Sequence, residues 1–305
     1  MATNFDHAGL IKEQFSPEFL QIGKDFSIYW YAVLILTGAV LGYFFSLRQA
    51  RKMKLTSDSL SFLFVLGIVI GILGGRIWYY IGKPSEFKSF GAFIDIRSGG
   101  LAIHGVLASV VIYAVVVAYI RKMNFLFLLD MIVVSVLIGQ MIGRWGNFFN
   151  HEAHGGLVPG ATLDAQRAFL KRLWLPEFII NNMYMESSEI SSTPGYYHPT
   201  FLYESLTNLL GITLILILRR TVKKFYVGDS LFVFLIWWGV FRFLIEITRT
   251  DALLIGKLKM AQIASIVNVV IGTVGIIVRH AIKYKPISFN DYMSTPYTKG
   301  EPEHV

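Results

Sequence analysis

The sequence predicts an all-α integral membrane protein: seven transmembrane helices, the N-terminus outside, the C-terminus cytoplasmic, and a small external cap. Three observations carry this reading. Of 305 residues, 54% are hydrophobic and only 16% charged, whereas a soluble domain carries about a quarter charged residues. The apolar residues come in blocks close to the ~20 that a helix needs to cross a bilayer core, and mean hydropathy is +0.54. Short basic stretches alternate between the ends of those blocks.

The blocks fall at about 27–47, 60–81, 100–120, 125–148, 200–218, 229–248 and 259–278. Arg48, Arg51, Lys52 and Lys54 follow the first, Arg121 and Lys122 the third. Arg219, Arg220, Lys223 and Lys224 follow the fifth, and Arg279, Lys283 and Lys285 the seventh. Basic loops stay cytoplasmic, which sets the orientation, and seven spans agree with that parity. The first 26 residues are mixed and polar, without a basic start running into a short apolar core. No cleaved signal peptide is expected, so the first block stays in the membrane.

The net charge of +8 is spread over separate stretches rather than one surface, so no nucleic-acid partner is expected. Cysteine is absent, which excludes a disulfide, a thiolate nucleophile and a cysteine-ligated metal. Any thiol chemistry must use a thiol of the substrate.

Residues 1–285 are read as one membrane domain with a cap inserted at about 150–198. Within the cap, Thr162–Leu175 has helical character, with Phe169, Leu170, Leu173 and Trp174 set against Asp164, Arg167, Lys171 and Arg172. Pro176 ends that helix or starts a second element. Two readings of the cap stay open: partly seated among lipid headgroups, or packed as a subdomain of its own. Residues 286–305, polar and with Pro296, Gly300 and Pro302, are read as a disordered tail.

Ionisable side chains inside membrane segments cost a few kcal/mol each, roughly, and each asks for a reason. Arg242, Glu246 and Arg249 stand at i, i+4 and i+7 and share one helix face. Glu246 can then pair with both arginines, and the surplus positive charge favours an anionic ligand, phosphate above all. Arg144 and Asn147 are three apart and meet on one face, followed by Asn150 and Glu152. His104 has Gly105 after it and Arg97-Ser98-Gly99-Gly100 shortly before. Arg76 lies behind the helix-packing pattern Gly67-Gly71-Gly75. His198-Pro199 opens the fifth span, and Trp30-Tyr31 lies near an interface where an aromatic belt is expected. With the spans oriented as above, these groups gather at one depth, as a polar cavity toward the outer leaflet.

Gly143–Gly155 fits G-R-x-G-N-F-x-N-x-E-x-x-G and resembles the prolipoprotein diacylglyceryl transferase family. Other landmarks agree in order: Trp30-Tyr31, Gly74-Gly75-Arg76, Gly99-Gly100 with His104-Gly105, His198-Pro199 with Leu202-Tyr203-Glu204, Arg242 with Glu246 and Arg249, and Met260-Ala261-Gln262-Ile263. The resemblance covers about residues 15–280. Val106, His154 and Ala261 depart from the family pattern, and none of them removes a charged landmark.

The resemblance implies seven spans and a defined reaction. The diacylglyceryl group of phosphatidylglycerol moves to the lipobox cysteine of a prolipoprotein in the bacterial inner membrane, forming a thioether and releasing glycerol phosphate. It makes His104 the candidate base, and Arg144 and Arg242 the groups that help glycerol phosphate leave. Tyr31, Asn147, Glu152 and Gly155 match further functional positions, Arg76 and Arg249 add positive charge for the lipid, and Glu246 holds the arginines. No cofactor or metal is implied. Two rivals remain. In a zinc hydrolase, His151, Glu152, His154 and His198 would gather, although their spacing is not that of H-E-x-x-H. A non-enzymatic transporter or binder of anionic lipid would show broken helices and internal repeats, and no repeat is visible here.

Overall fold

A computed structural model of the chain describes residues 14–22, 26–52, 57–86, 89–95, 100–152, 154–186, 193–249, 254–255, 258–281 and 287–294. The elements run β1 (Glu18–Ile22), β2 (Phe26–Tyr29), α1 (Trp30–Lys52), α2 (Ser57–Gly82), α3 (Phe90–Ile94), α4 (Ile103–Arg121) and α5 (Phe125–Phe149). They continue as α6 (Leu163–Arg172), α7 (Glu177–Asn182), β3 (Tyr184–Met185), β4 (Gly195–Tyr196), α8 (Thr200–Thr221) and α9 (Asp229–Thr248). The last are β5 (Leu254–Ile255), β6 (Leu258–Lys259), α10 (Met260–Ala281) and α11 (Phe289–Ser294).

Among the described residues, seven helices are long and apolar enough to cross a membrane: α1, α2, α4, α5, α8, α9 and α10. They coincide with the seven blocks read from the sequence, and the strands form only three two-stranded ribbons. Side chains such as Leu36, Ile112, Leu210 and Ile277 are exposed on these helices. That is the arrangement a lipid solvent permits, because helices satisfy their own backbone and need only present apolar surface. The first helix begins three residues later than the sequence block at 27. Residues 26–29 instead pair antiparallel with 18–22, Ile22 opposite Phe26 and Gln21 opposite Ser27.

The chain divides into two compact units, the first made of Met1–Gly42, Val134–Thr221 and Phe232–Tyr284, the second of Tyr43–Val133, Val222–Leu231 and Lys285–Val305. In the first, small residues bring helices close. A side chain at Gly38 would meet the Gly139 backbone at 3.1 Å, and Ser135 Oγ donates to the Gly42 carbonyl at 2.7 Å. Gly211 lies against the Trp237 ring, whose Nε1 donates to Thr207 O at 2.8 Å. Without a hydrophobic force between helices in lipid, close backbone approach and such bonds do the packing.

Also in the first unit, the cap has a core of its own: Val158, Leu170, Ile179, Ile180, Met183, Tyr196 and Tyr197, closed by Phe148 and Phe201 from the adjoining ends of α5 and α8. Thr162 caps α6 by accepting from Ala165 N, and Pro176 opens α7. The apolar face expected on α6 splits. Leu170 is buried at the centre of this core, whereas Leu173 and Trp174 point away from it. The cause is that α6 stops at Arg172 and the chain turns through a left-handed Trp174, φ 58°.

In the second unit, α2 and α4 touch backbone to backbone. Gly74 and Gly105 face each other so closely that a side chain at either would collide with the other's carbonyl. Tyr113 Oη donates to Leu63 O at 2.9 Å along the same seam. The expected packing role of Gly71 and Gly75 is observed against Val106. Asp130, fully buried, accepts from Gly228 N at 2.6 Å and Leu231 N at 2.9 Å, and so caps the start of α9.

The structure differs from a disordered tail over 287–294. Helix α11 buries Phe289, Tyr292 and Met293, with the Phe289 and Tyr292 rings 5.8 and 4.3 Å from that of Phe127. Phe289 N donates to Phe225 O and Val227 N to Ile287 O. Spacing i, i+3, i+4 gives these three side chains one face, and that apolar face outweighs the polar composition around it. The rest of the tail lies outside the described residues.

Candidate active site

In the first unit, three helices bring their charged residues to one place. Arg144 and Asn147 stand on the last turns of α5, Glu204 on the second turn of α8, and Arg242 and Glu246 near the end of α9. Glu204 is the hub. Its Oε1 accepts from Arg242 Nη1 at 2.6 Å and lies 4.0 Å from Arg249 Nη1, while Oε2 pairs with Arg144 Nε. Arg144 Nη1 donates to Asn147 Oδ1 at 3.3 Å.

The spacing of Arg242 and Glu246 gives their pairing, and the structure adds a second carboxylate, Glu204. Glu246 meets Arg242 Nη2 at 2.7 Å, and Glu204 gathers three arginines, Arg144 from α5 and Arg242 and Arg249 from α9 and its end. The Arg242–Glu246 contact is an ion pair by distance that lacks hydrogen-bond alignment, so Glu246 Oε2 is buried with no hydrogen-bond donor among the described residues. Lys259 Nζ donates to Glu246 O at 2.6 Å and Arg249 O at 2.7 Å, fixing the chain where α9 ends. Both carboxylates are buried, while the Arg144 side chain keeps 30% of its surface. Three guanidiniums around two carboxylates leave a surplus positive charge. It faces a cleft lined by Arg144, Glu204 and Arg242 together with Gln140, Asn208 and Trp237. Arginine's fork and this surplus suit an oxyanion such as phosphate.

The run after α5 is a shaped turn. Glu152 N donates to Asn147 O at 2.9 Å, and His151 takes φ 53°. The Glu152 side chain is exposed. Asn150 Oδ1 is buried and finds no hydrogen-bond partner among the described residues. Tyr31 packs on Gly146, where a side chain would lie 2.8 Å from its ring. Gly155 is a close-approach position: a Cβ there would meet His198 Cβ at 2.7 Å, Thr200 Cγ2 at 3.0 Å and Thr248 O at 3.2 Å. Its N–H donates to His198 O at 2.9 Å, at the entry to α8, and the next residue, Gly156, donates its N–H to Thr248 O at 2.5 Å, just before Arg249.

His154 is buried, its Nδ1 3.0 Å from Gly155 O and its ring edge-on to Tyr197. His198 is 3.2 Å from the Tyr203 hydroxyl, and burial pushes its imidazole below the usual histidine pKa. His151, Glu152, His154 and His198 do not form a donor set: among the described residues, no group of three or more such side chains could hold a metal ion.

Arg76 and His104 belong to the second unit. Arg76 is buried and donates to four carbonyls: Phe93 at 2.8 Å, Gly100 at 2.9 Å, Ala92 at 2.6 Å and Asp95 at 2.9 Å. These bonds tie the end of α3 at Ala92–Asp95, and Gly100, to α2. His104 is exposed in the first turn of α4, beside the Gly74–Gly105 contact. Arg97, Ser98 and Gly99 lie outside the described residues.

Glu204 stands in the sequence pattern with no local spacing that pairs it to an arginine. A carboxylate within a turn of the start of an apolar span was the available signal, since it cannot be left unpaired there. Lys259 left no such mark, because its partners are backbone carbonyls.

Comparison with known proteins identifies the family. A family model described as prolipoprotein diacylglyceryl transferase matches residues 17–278. A phosphatidylglycerol–prolipoprotein diacylglyceryl transferase of Bacillus cereus is 43% identical over 261 residues, covering 85% of this chain and 90% of that protein. Proteins of the same name from Bacillus thuringiensis subsp. konkukian and Bacillus mycoides are each 42% identical, with the same coverage. This chain belongs to the prolipoprotein diacylglyceryl transferase family.

Proposed function

We propose that this protein transfers the diacylglyceryl group of phosphatidylglycerol to the lipobox cysteine thiol of prolipoproteins, forming a thioether and releasing glycerol phosphate. The observation that carries the reading is the Glu204-centred arginine cluster on its cleft. In the reaction the thiol loses its proton and the sulfur attacks the terminal glyceryl carbon. The carbon–oxygen bond to phosphate breaks, and that oxygen leaves with glycerol phosphate. The phosphate gains one negative charge as the bond breaks, and fixed positive groups stabilise charge that develops in a transition state. Arg144 and Arg242, held in place by Glu204, are the groups for this task.

His104 is the proposed base. A thiol has a pKa of about 8.5 and is mostly protonated at neutral pH, whereas an imidazole near 6.5 can accept its proton. Tyr31, Asn147, Glu152, Gly155 and Arg249 complete the substrate site in this reading, with Glu246 anchoring Arg242 and Arg76 holding Ala92–Asp95 and Gly100. The site opens to the outer leaflet of the bacterial inner membrane, with the N-terminus outside. The thirteen basic residues in alternating stretches support that orientation.

The test is direct. Purified protein, phosphatidylglycerol and a lipobox peptide are incubated and the peptide is weighed by mass spectrometry. A mass gain of one diacylglyceryl group on the cysteine is expected. An unchanged peptide under conditions where the protein is folded overturns the assignment.

A further inference from the structure

The corner between α6 and α7 is built unlike the rest of the cap. Leu173, Trp174 and Phe178 keep 41%, 95% and 45% of their surface, while Leu170 and Ile179 nearby are buried in the cap core. Trp174 occupies the position just past the C-cap of α6, with φ 58°. Glycine or asparagine normally takes that left-handed site, because a side chain there is strained. The chain thus carries backbone strain to hold a large apolar ring outward.

The surroundings indicate what covers it. The cap core is closed by Phe148 and Phe201, the first near the end of one span and the second near the start of another. The cap therefore rests on the ends of two membrane helices, at the level of the bilayer surface. Around the corner stand Arg167, Lys171 and Arg172. Glu177 answers Arg167 and, at 2.9 Å, Lys171. Three cations to one anion favour a negatively charged partner. Tryptophan beside leucine and phenylalanine, flanked by basic residues, is the composition that settles at the headgroup layer.

We propose that the Leu173–Trp174–Phe178 corner is an interfacial anchor, seated among the headgroups of the membrane this chain spans, with Lys171 and Arg172 on anionic lipid phosphates. The anchor fixes the height of the cap over the bilayer.

Because the native chain has no cysteine, a spin label can be placed at one site in the full-length protein. Trp174→Cys and, as an exposed comparison on the cap, Ala161→Cys are labelled in nanodiscs of mixed phosphatidylglycerol and phosphatidylcholine. Accessibility to a water-soluble nickel chelate and to oxygen is then measured. The label at 174 should show several-fold lower nickel access than that at 161, together with higher oxygen access. Adding Lys171→Gln and Arg172→Gln, or using phosphatidylcholine alone, should raise its nickel access. Equal nickel access at the two sites overturns the anchor, and so does a label shielded from both relaxants, which would mean that protein covers the corner. A nickel access at 174 that ignores lipid charge overturns the role of the two basic residues.

Discussion

Arg242 of α9 donates to Glu204 of α8 at 2.6 Å, and the same carboxylate pairs with Arg144 of α5. One buried anion thus joins three helices and sets the direction of the guanidiniums that face the cleft. Glu204→Gln keeps the shape and removes the charge. Breaking a buried ion pair costs about 3–5 kcal/mol, and the partial exposure of Arg144 reduces that here to roughly 2–3. We expect a lower melting temperature in detergent and turnover reduced at least tenfold, read by thermal unfolding and the peptide assay. Wild-type values for both would remove Glu204 from its place as hub.

Arg144→Ala and Arg242→Ala should each abolish most transfer while the protein still inserts and purifies. Lysine at either position should restore only part of the rate, since a point charge lacks the fork that grips two phosphate oxygens. Full activity of either alanine variant excludes that arginine from the reaction.

If His104 takes the thiol proton, His104→Asn should lose about 10²–10⁴ in rate at neutral pH. Raising the pH toward the thiol's own pKa should recover part of that loss, because the thiolate then forms unaided. Phosphatidylglycerol binding should change little. A histidine that only supports structure gives the opposite pattern, with weaker lipid binding or stability and no rescue in base.

Burial lowers the pKa of His198 in the folded protein. The unfolded chain therefore binds more protons just below about pH 6.5, and stability falls as pH drops from there toward the folded value. Above that window the histidine is neutral in both states and contributes no slope. Melting temperatures at pH 7.5 and 5.5 should differ more in the wild type than in His198→Gln. An identical acid shift in both would show that other groups carry it.

Tyr292 of α11 packs on Phe127, and its hydroxyl accepts from Asn124 N at 3.3 Å. Tyr292→Ala should cost about 2–4 kcal/mol, within the range of large buried deletions, and truncation after residue 286 should cost at least as much. Thermal unfolding of the two variants checks this, and unaltered melting would show that the tail adds no stability.

The spans were legible because hydropathy alone sets them: the block at 229–248 is α9 residue for residue, and 125–148 is α5 less its last residue. The hairpin before α1 was not, because two short strands without a shared buried face leave no periodic signal. Within the site, Arg242 and Glu246 lie on one helix, so their spacing gave their pairing. Glu204 lies on another, and which helices adjoin is not written in any local spacing. Arg76 shows the same limit, since its partners are carbonyls that every residue possesses. In the tail, Phe289, Tyr292 and Met293 did carry a helical signature, hidden by the polar composition on either side.

The contact between Gly74 and Gly105 reaches beyond packing. With no side chain on Gly74 or Gly105, the main chains of α2 and α4 approach directly, with Ser109 and Trp78 Cβ packed beside them. His104 sits one residue from that contact and takes its coordinates from it. A single methyl at 74 or 105 would act as a wedge, moving the imidazole without touching it. The placement of the His104 ring is thus governed from the glycine seam rather than from its own side-chain contacts.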